Sequence, residues 1–456
     1  MTGEDGRDAG WRRLHPLSPV VRSGRGVLAV LAIVGAGAAG GFTRGGGARF
    51  YDLAVPAAAA VAAVVNWLVT RWKLDGATLC IETGLLRRDS RQLPVARIQA
   101  VDVVRPFLAR ALGLAELRVR LAGSSHADGR LAYLPEPAAV ELRARLLAAH
   151  YGLDPATPAP AERVMATVPA GQLLGSVVLS SASMLAAVLI AEVALAVAAP
   201  AGFAVAAGTV LGWVVTTVPV IWRRVSADYG FTVAQSPDGI RIRRGLLSTV
   251  SETIPVRRVQ AVRLIEPLLW RPLGWCRLEV DVAGSPGRDR ADGSAGLRKT
   301  LLPVGSHAAA AALLQVIIGP AAPGLTRPPR RARWKAPLSY HFLAAGHNEV
   351  LAAARTGRVR TATTWVPLEK TQSIRFVQGP LQRLLGLATV HVDTAGRRVR
   401  AEFRDRPAGQ AGQLVDELSA LSRSARQRAS AAGPAPAVPA QAASSPAPVN
   451  AAHSEA

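Results

Sequence analysis

GLLRRDSRQLPVARIQAVDVVRPFLARALGLAELRVRLAG, residues 84–123, recurs twice further along the chain. Residues 245–284 read GLLSTVSETIPVRRVQAVRLIEPLLWRPLGWCRLEVDVAG and align with it without a gap, 161 positions on. Residues 357–396 read GRVRTATTWVPLEKTQSIRFVQGPLQRLLGLATVHVDTAG, a further 112 positions on. Identical in all three are Gly84/Gly245/Gly357, Pro94/Pro255/Pro367, Gln99/Gln260/Gln372 and Leu108/Leu269/Leu381. So are Arg110/Arg271/Arg383, Leu112/Leu273/Leu385, Gly113/Gly274/Gly386 and Gly123/Gly284/Gly396. Ungapped agreement of this kind marks an internal repeat, and it decides the fold class.

The repeated residues make local sense. The opening glycine suits a tight turn between strands, where a positive φ is needed. The proline fits only a strand's start or its edge. Pro106 and Gly113 bracket a short helical turn. Arg110, in the last turn, suits the negative end of the helix dipole. Leu117, Val119 and Leu121 then alternate with Glu116, Arg118 and Arg120, the period of a half-buried strand. The glutamines recur among differing neighbours, as a shared structural constraint would make them do. Each unit closes in a helix-like stretch, Glu136–Tyr151, Ser306–Ile318 or Pro407–Ser422; in the last, Leu414, Leu418 and Leu421 recur at helical spacing. Strands followed by one helix, three times over, predict an α+β design.

Outside the repeats lie four uncharged runs: Gly26–Phe42, Leu53–Thr70, Gly171–Ala191 and Ala201–Trp222. A helix crosses ~30 Å of hydrocarbon in about 20 residues, so these predict four transmembrane helices in two hairpins. Arg12, Arg13, Arg22, Arg25, Arg71, Lys73, Arg223 and Arg224 flank them, with Trp67, Trp72, Trp213 and Trp222 near the same ends. That asymmetry points to a cytoplasmic side carrying all three units and both termini. Gly35–Gly40 matches GxGxxG, but no amphipathic helix and second strand follow, so it is a helix contact rather than a dinucleotide site.

The pattern of glycine, strand, Pro-x-x-[RK]-x-Q, a turn ending Arg-x-Leu-Gly and a strand resembles the bacterial PH-like domain of the YdbS/YdbT membrane family. Three such units behind membrane hairpins look like the larger, YdbT-type members. The resemblance covers most of residues 20–424. It implies PH-like β-barrel modules, each capped by a C-terminal helix, in the bacterial cell membrane, with no catalytic residues and no cofactor. The third copy departs from the pattern at Gly379, where the other copies have Pro106 and Pro267.

The chain of 456 residues carries 54 Lys and Arg against 31 Asp and Glu, a net charge of +23, with a mean hydropathy of +0.22. The arginines are spread along the chain and no nucleic-acid-binding motif is present, so nucleic acid is not the expected partner. Two cysteines exclude a disulfide scaffold. Ser125, His126 and Asp128 share one loop, where a triad's members seldom converge, and read as a polar hairpin connection. His341, His347 and Glu349 are only loosely grouped, and no metal-spaced pair occurs. The stretch 319–337, GPAAPGLTRPPRRARWKAP, gathers Arg327, Arg330, Arg331, Arg333, Trp334 and Lys335 in a proline-rich linker. These are candidate contacts to anionic lipid headgroups, each basic residue adding about 1 kcal/mol near such a surface; a solvated spacer is the other reading.

The expected organisation is an N-terminal segment 1–25, hairpin 26–71, module 72–152, linker 153–167, hairpin 168–223, module 224–318, linker 319–337, module 338–424 and a disordered tail 425–456. The expected function is non-enzymatic: cytoplasmic modules for protein binding or assembly, with a smaller single-module relative among the candidate partners. An anionic-lipid surface sensor is the alternative, and a membrane enzyme or transporter, for which the spans carry no acids, is the least favoured class.

Overall fold

The computed structural model describes residues 10–18, 67–75, 78–84, 89–121, 129–151, 162–180, 202–236, 239–283, 299–319, 322–395 and 399–431, with residues 21, 65 and 194. Its strands are all paired antiparallel. The first unit has β1 (Arg12–Arg13), β2 (Arg71–Asp75), β3 (Thr78–Thr83) and β4 (Asp89–Pro94), then β5 (Ile98–Arg105), β6 (Leu114–Leu121), β7 (Gly129–Pro135) and helix α1 (Glu136–Tyr151). The second has β8 (Arg163–Thr167), a helix at 170–180, α2 (Gly202–Asp228), β9 (Thr232–Ser236), β10 (Gly239–Arg244) and β11 (Thr249–Ile254). It continues with β12 (Val259–Pro267), β13 (Trp275–Val282), β14 (Lys299–Ser306) and α3 (His307–Ile318). The third runs β15 (Ala344–His347), β16 (Leu351–Thr356), β17 (Arg360–Pro367), β18 (Thr371–Val377), β19 (Leu387–Thr394), β20 (Ala401–Pro407) and α4 (Ala408–Ala431).

Each unit has its own apolar core, filled from alternate strand positions and one face of the closing helix. The first gathers Leu79, Ile81, Leu93, Val101, Leu117, Val119 and Leu131 under Leu142 and Leu146 of α1. Phe231, Ile240, Val262, Leu278, Val280 and Leu302 do the same under Leu313. In the third, Val366, Val390, Val392 and Phe403 lie under Leu418 of α4, with Leu414 and Leu421 packed alongside.

The sheets do not respect these units. The strand orders are β1-β2-β3-β4, then β7-β6-β5-β11-β10-β9-β8, then β14-β13-β12-β17-β16-β15, then β18-β19-β20. The second half-sheet of each unit is therefore continued by the first half-sheet of the next. β8, from a stretch expected to be linker, is an edge strand paired to β9.

The expectation of four transmembrane helices is not upheld. Among the described residues no helix is long and apolar enough to cross a membrane, and the fold is mainly antiparallel sheet. The run Gly26–Phe42 lies outside the described residues, as do most of Leu53–Thr70 and the second half of Gly171–Ala191. The multi-pass cell-membrane location with cytoplasmic termini, which rested on those spans, falls with them. The helices' apolar residues are partly taken up by the second core. Leu173 and Val177 of the 170–180 helix and Val225 of α2 are buried in it, with Ile221 packed against it. The expected interfacial anchors have protein partners too. Trp72 is 5% exposed, and Trp67 donates from Nε1 to the Leu14 carbonyl at 3.0 Å. Arg71 pairs with Glu82 and Lys73 with Asp75, both at 3.0 Å.

Candidate functional site

The repeated motif is concentrated at the seams where one unit's sheet continues into the next. The opening glycines turn the chain between strands at φ +97° (Gly84), +116° (Gly245) and +92° (Gly357). A Cβ on Gly245 would overlap the Ser248 carbonyl oxygen, and one on Gly357 that of Arg360. Only glycine fits there.

The prolines sit at the far end of a strand, not at its start. Pro94 and Pro367 are the last residues of β4 and β17, and Pro255 lies one position beyond β11, which ends at Ile254. With φ at −61° (Pro94), −64° (Pro255) and −63° (Pro367), each leads into a single 3-10 turn, Val95–Arg97, Val256–Arg258 or Leu368–Lys370. A ring-locked φ suits extended backbone and turn entry alike, so the proline closes one strand and starts the turn to the next.

The glutamines come next, and each falls at a register slip. Pairing shifts between Ile98 and Ala100, between Val259 and Ala261, and between Thr371 and Ser373. Gln99, Gln260 and Gln372 are thus the extra residue of a β-bulge in every copy, a feature that bends and twists a strand. Gln260 Nε2 donates locally, to the Arg258 carbonyl at 3.3 Å.

Beyond the bulge the strands meet across the seams. Val103, Val104 and Arg105 face Ser251, Val250 and Thr249. One repeat later, Leu264, Ile265 and Glu266 face Thr363, Ala362 and Thr361. Shifted by the repeat offsets, the two sets of pairs are the same pairs: the register of the seam is itself repeated. The second seam extends on both sides, from Val262 opposite Trp365 to Pro267 opposite Arg360.

The repeated arginine fastens each seam. Arg110 Nη1 donates to the Leu246 carbonyl at 2.7 Å, in the turn just after Gly245. Arg271 Nη2 donates to the Arg358 carbonyl at 2.6 Å, in the turn just after Gly357, and also to Thr361 Oγ1. Arg271 lies over the Phe342 ring as well, 5.2 Å from its centroid. Gly113, Gly274 and Gly386, at φ +66°, +64° and +60°, end the helical turns that carry these arginines.

Other polar groups complete the seams, and sequence reasoning missed them. Arg143 of α1 donates to Thr253 Oγ1 at 3.0 Å and to Val101 O at 3.1 Å. Buried Asp281 accepts from the backbone N–H of Val399 at 3.2 Å, and Arg360 lies 3.7 Å from Glu279. Burial, with Arg143 and Arg243 adding repulsion, pulls the Arg241 guanidinium down to about 9; it ion-pairs with Glu162. Burial likewise pushes the Cys276 thiol up to about 12. The one available signal was threonine: Thr361, Thr363 and Thr364 of β17 are buried at positions facing the neighbouring unit.

In the third unit no further strand continues the sheet beyond β18 among the described residues. β18 is the last strand of its sheet, and among the described residues Arg383 has no acceptor like those of Arg110 and Arg271. Val377 is 42% exposed, whereas the matching Val104 and Ile265 are 8% and 1% exposed.

The stretch expected to be a loose linker is docked on the third unit. Thr326 bridges to Ala345, and Tyr340 donates from its hydroxyl to the Pro328 carbonyl at 3.1 Å. Arg330–Arg333 form a 3-10 turn with Ala332 buried. Arg331 donates to Gly386 O at 3.1 Å, and Lys335 pairs with Asp405 at 2.6 Å. Arg327, Arg330, Arg333 and Trp334 face outward, Trp334 at 82% exposure. Leu338 beside them is exposed as well.

No catalytic geometry emerges at these places. His347 pairs with Glu417 at 3.0 Å, His341 sits edge-on to Tyr340, and Glu349 lies 3.5 Å from Arg428, so that loose group is dispersed. Ser125, His126 and Asp128 lie outside the described residues.

The bacterial PH domain family model matches the chain three times, over residues 23–150, 185–315 and 299–422. No curated protein and no solved structure matches it. Domains of this kind are generally non-catalytic modules that bind lipid or protein. With three matches that together span most of its length, each over one unit of the observed repeat, the chain belongs to the bacterial PH domain family.

Proposed function

We propose that the chain is a non-enzymatic scaffold whose three PH-like modules, near 72–152, 224–318 and 338–424, serve protein binding and assembly. The count of three modules supports reading it as a YdbT-type member. One observation carries the proposal: among the described residues, the surface used at both internal seams, a strand edge beside a fastening arginine, is left uncovered on module 3. Strand addition to an open sheet edge is a recurrent mode of protein recognition, with backbone hydrogen bonds giving affinity and side chains giving choice. Crosslinking the full chain in its native extract should link a protein to module 3. Recovery of the chain free of any linked protein would end this reading.

A second reading rests on Trp334 and Leu338, exposed beside Arg327, Arg330 and Arg333. An aromatic and an aliphatic side chain among arginines suit an anionic lipid surface. Arg331 and Lys335 are engaged by module 3, so three of the five basic residues are available rather than all five. Full-length protein should bind anionic vesicles and release them with rising salt. Trp334→Ala with Arg330→Ala and Arg333→Ala should weaken binding at least tenfold. Equal binding to neutral vesicles would discard the lipid reading.

A further inference from the structure

The inference rests on the protein-binding reading above and names the partner. We propose that β18 of module 3 receives the β4 edge of module 1 from a second copy of the chain. The copies would then join head to tail through a third seam of the kind already present twice within each chain.

The two edges are complementary by descent from one repeat. β5 and β12 are the strands homologous to β18, and each is covered by a strand homologous to β4: β11 on β5, and β17 on β12. In both cases the register is the same. β4 ends the sheet β1-β2-β3-β4, and β18 ends the sheet β18-β19-β20. Among the described residues, one chain therefore carries a donor edge in its first module and a receiving edge in its last that no strand covers.

The receiving side shows what is missing. Phe376 and Val377 are 44% and 42% exposed on an edge strand, where their counterparts in covered strands are buried or nearly so. Continuing the internal register sets Val377 opposite Asp89, Phe376 opposite Ser90 and Arg375 opposite Arg91. The last pairing does not leave two bare cations facing each other. Arg375 is held by Asp393 at 2.5 Å and Arg91 by Asp89 at 3.1 Å, so two ion pairs come side by side. Module 1 is the module of this chain whose strand of this type pairs with no other module among the described residues.

Paired residues in antiparallel strands have Cα atoms about 4.5–5.5 Å apart, within the span a disulfide bridges. Asp89→Cys and Val377→Cys chains, each full length, should give a crosslinked heterodimer when mixed under mild oxidation, and neither should dimerise alone. Cys80 and Cys276 are buried and stay silent. Wild-type protein should self-associate with concentration in sedimentation. Val377→Asp should weaken that association severalfold, since it sets a carboxylate opposite Asp89 and removes an apolar contact. A wild-type chain that stays monomeric at every concentration, with no mixed crosslink, overturns the proposal. So does a Val377→Cys chain that crosslinks to itself, which would mean β18 meeting β18. If instead Val377→Cys captures a different protein in the native extract, self-assembly falls while the protein-binding function stands. If it captures nothing, both fall.

Discussion

At Gly245 the backbone and its surroundings both demand a missing side chain. Its φ is +116°, and a Cβ would run into the Ser248 carbonyl oxygen. Gly274 has φ +64° with nothing within 4 Å of a built Cβ, so only conformational strain opposes a substitution there. Gly274→Ala should cost about 1 kcal/mol and Gly245→Ala about 3 kcal/mol or more, read as displaced urea midpoints. These glycines were legible in the sequence, because a glycine recurring before a strand points to a turn that no side chain fits. The prolines were legible as strand boundaries, but not which end of the strand they bound, since a fixed φ near −65° serves both. The glutamines were legible as structural but not as bulges, since a register slip leaves no trace in spacing. The arginine's role was not legible at all. Its acceptor lies 136 positions away for Arg110 and 87 for Arg271, and the local reading assigned Arg110 to a helix dipole instead.

Strands and turns give the seams their strength. At seam two a charged donor holds the next module's turn, and six facing residue pairs run alongside, from Val262–Trp365 to Pro267–Arg360. Arg271→Ala should destabilise the full chain by about 1.5–3 kcal/mol, and Arg110→Ala by a similar amount. Arg383→Ala should stay within about 0.5 kcal/mol in dilute monomer, because among the described residues it fastens nothing. Thermal unfolding of the three variants side by side tests the contrast. The proline-rich stretch was misread as a tether for a related reason. Proline removes an N–H donor but keeps its carbonyl, and Pro328 uses that carbonyl to accept from the Tyr340 hydroxyl of module 3. Composition reports what a segment cannot donate, not what it can accept.

Across the whole molecule, the three-fold repeat was readable and the way its copies join was not. Edge pairing depends on which strands are left unpaired, and that follows from closure of each module rather than from any single motif. The uncharged runs misled for a comparable reason: hydropathy does not say whether an apolar face meets lipid or a neighbouring sheet, and Leu173, Val177 and Val225 meet a sheet. Cutting the chain after Ile318 would strip β17 from β12 and expose an edge that includes Ile265, now 1% exposed. The truncated protein should aggregate or lose a few kcal/mol relative to the same modules in the full chain, as light scattering and urea unfolding would show. Retention of full stability would mean that the seam holds the modules side by side without supporting them.

Sharing a sheet also changes how the molecule bears mechanical load. In beads on a string, a tug on one bead is absorbed by slack in the thread. Here β12 and β17 are laced backbone to backbone, so a tilt or pull on the last module passes directly into the rigid framework of the middle one. The chain bends as a beam does, stiff where the lacing runs, and it gives way first at whichever seam has the fewest rungs.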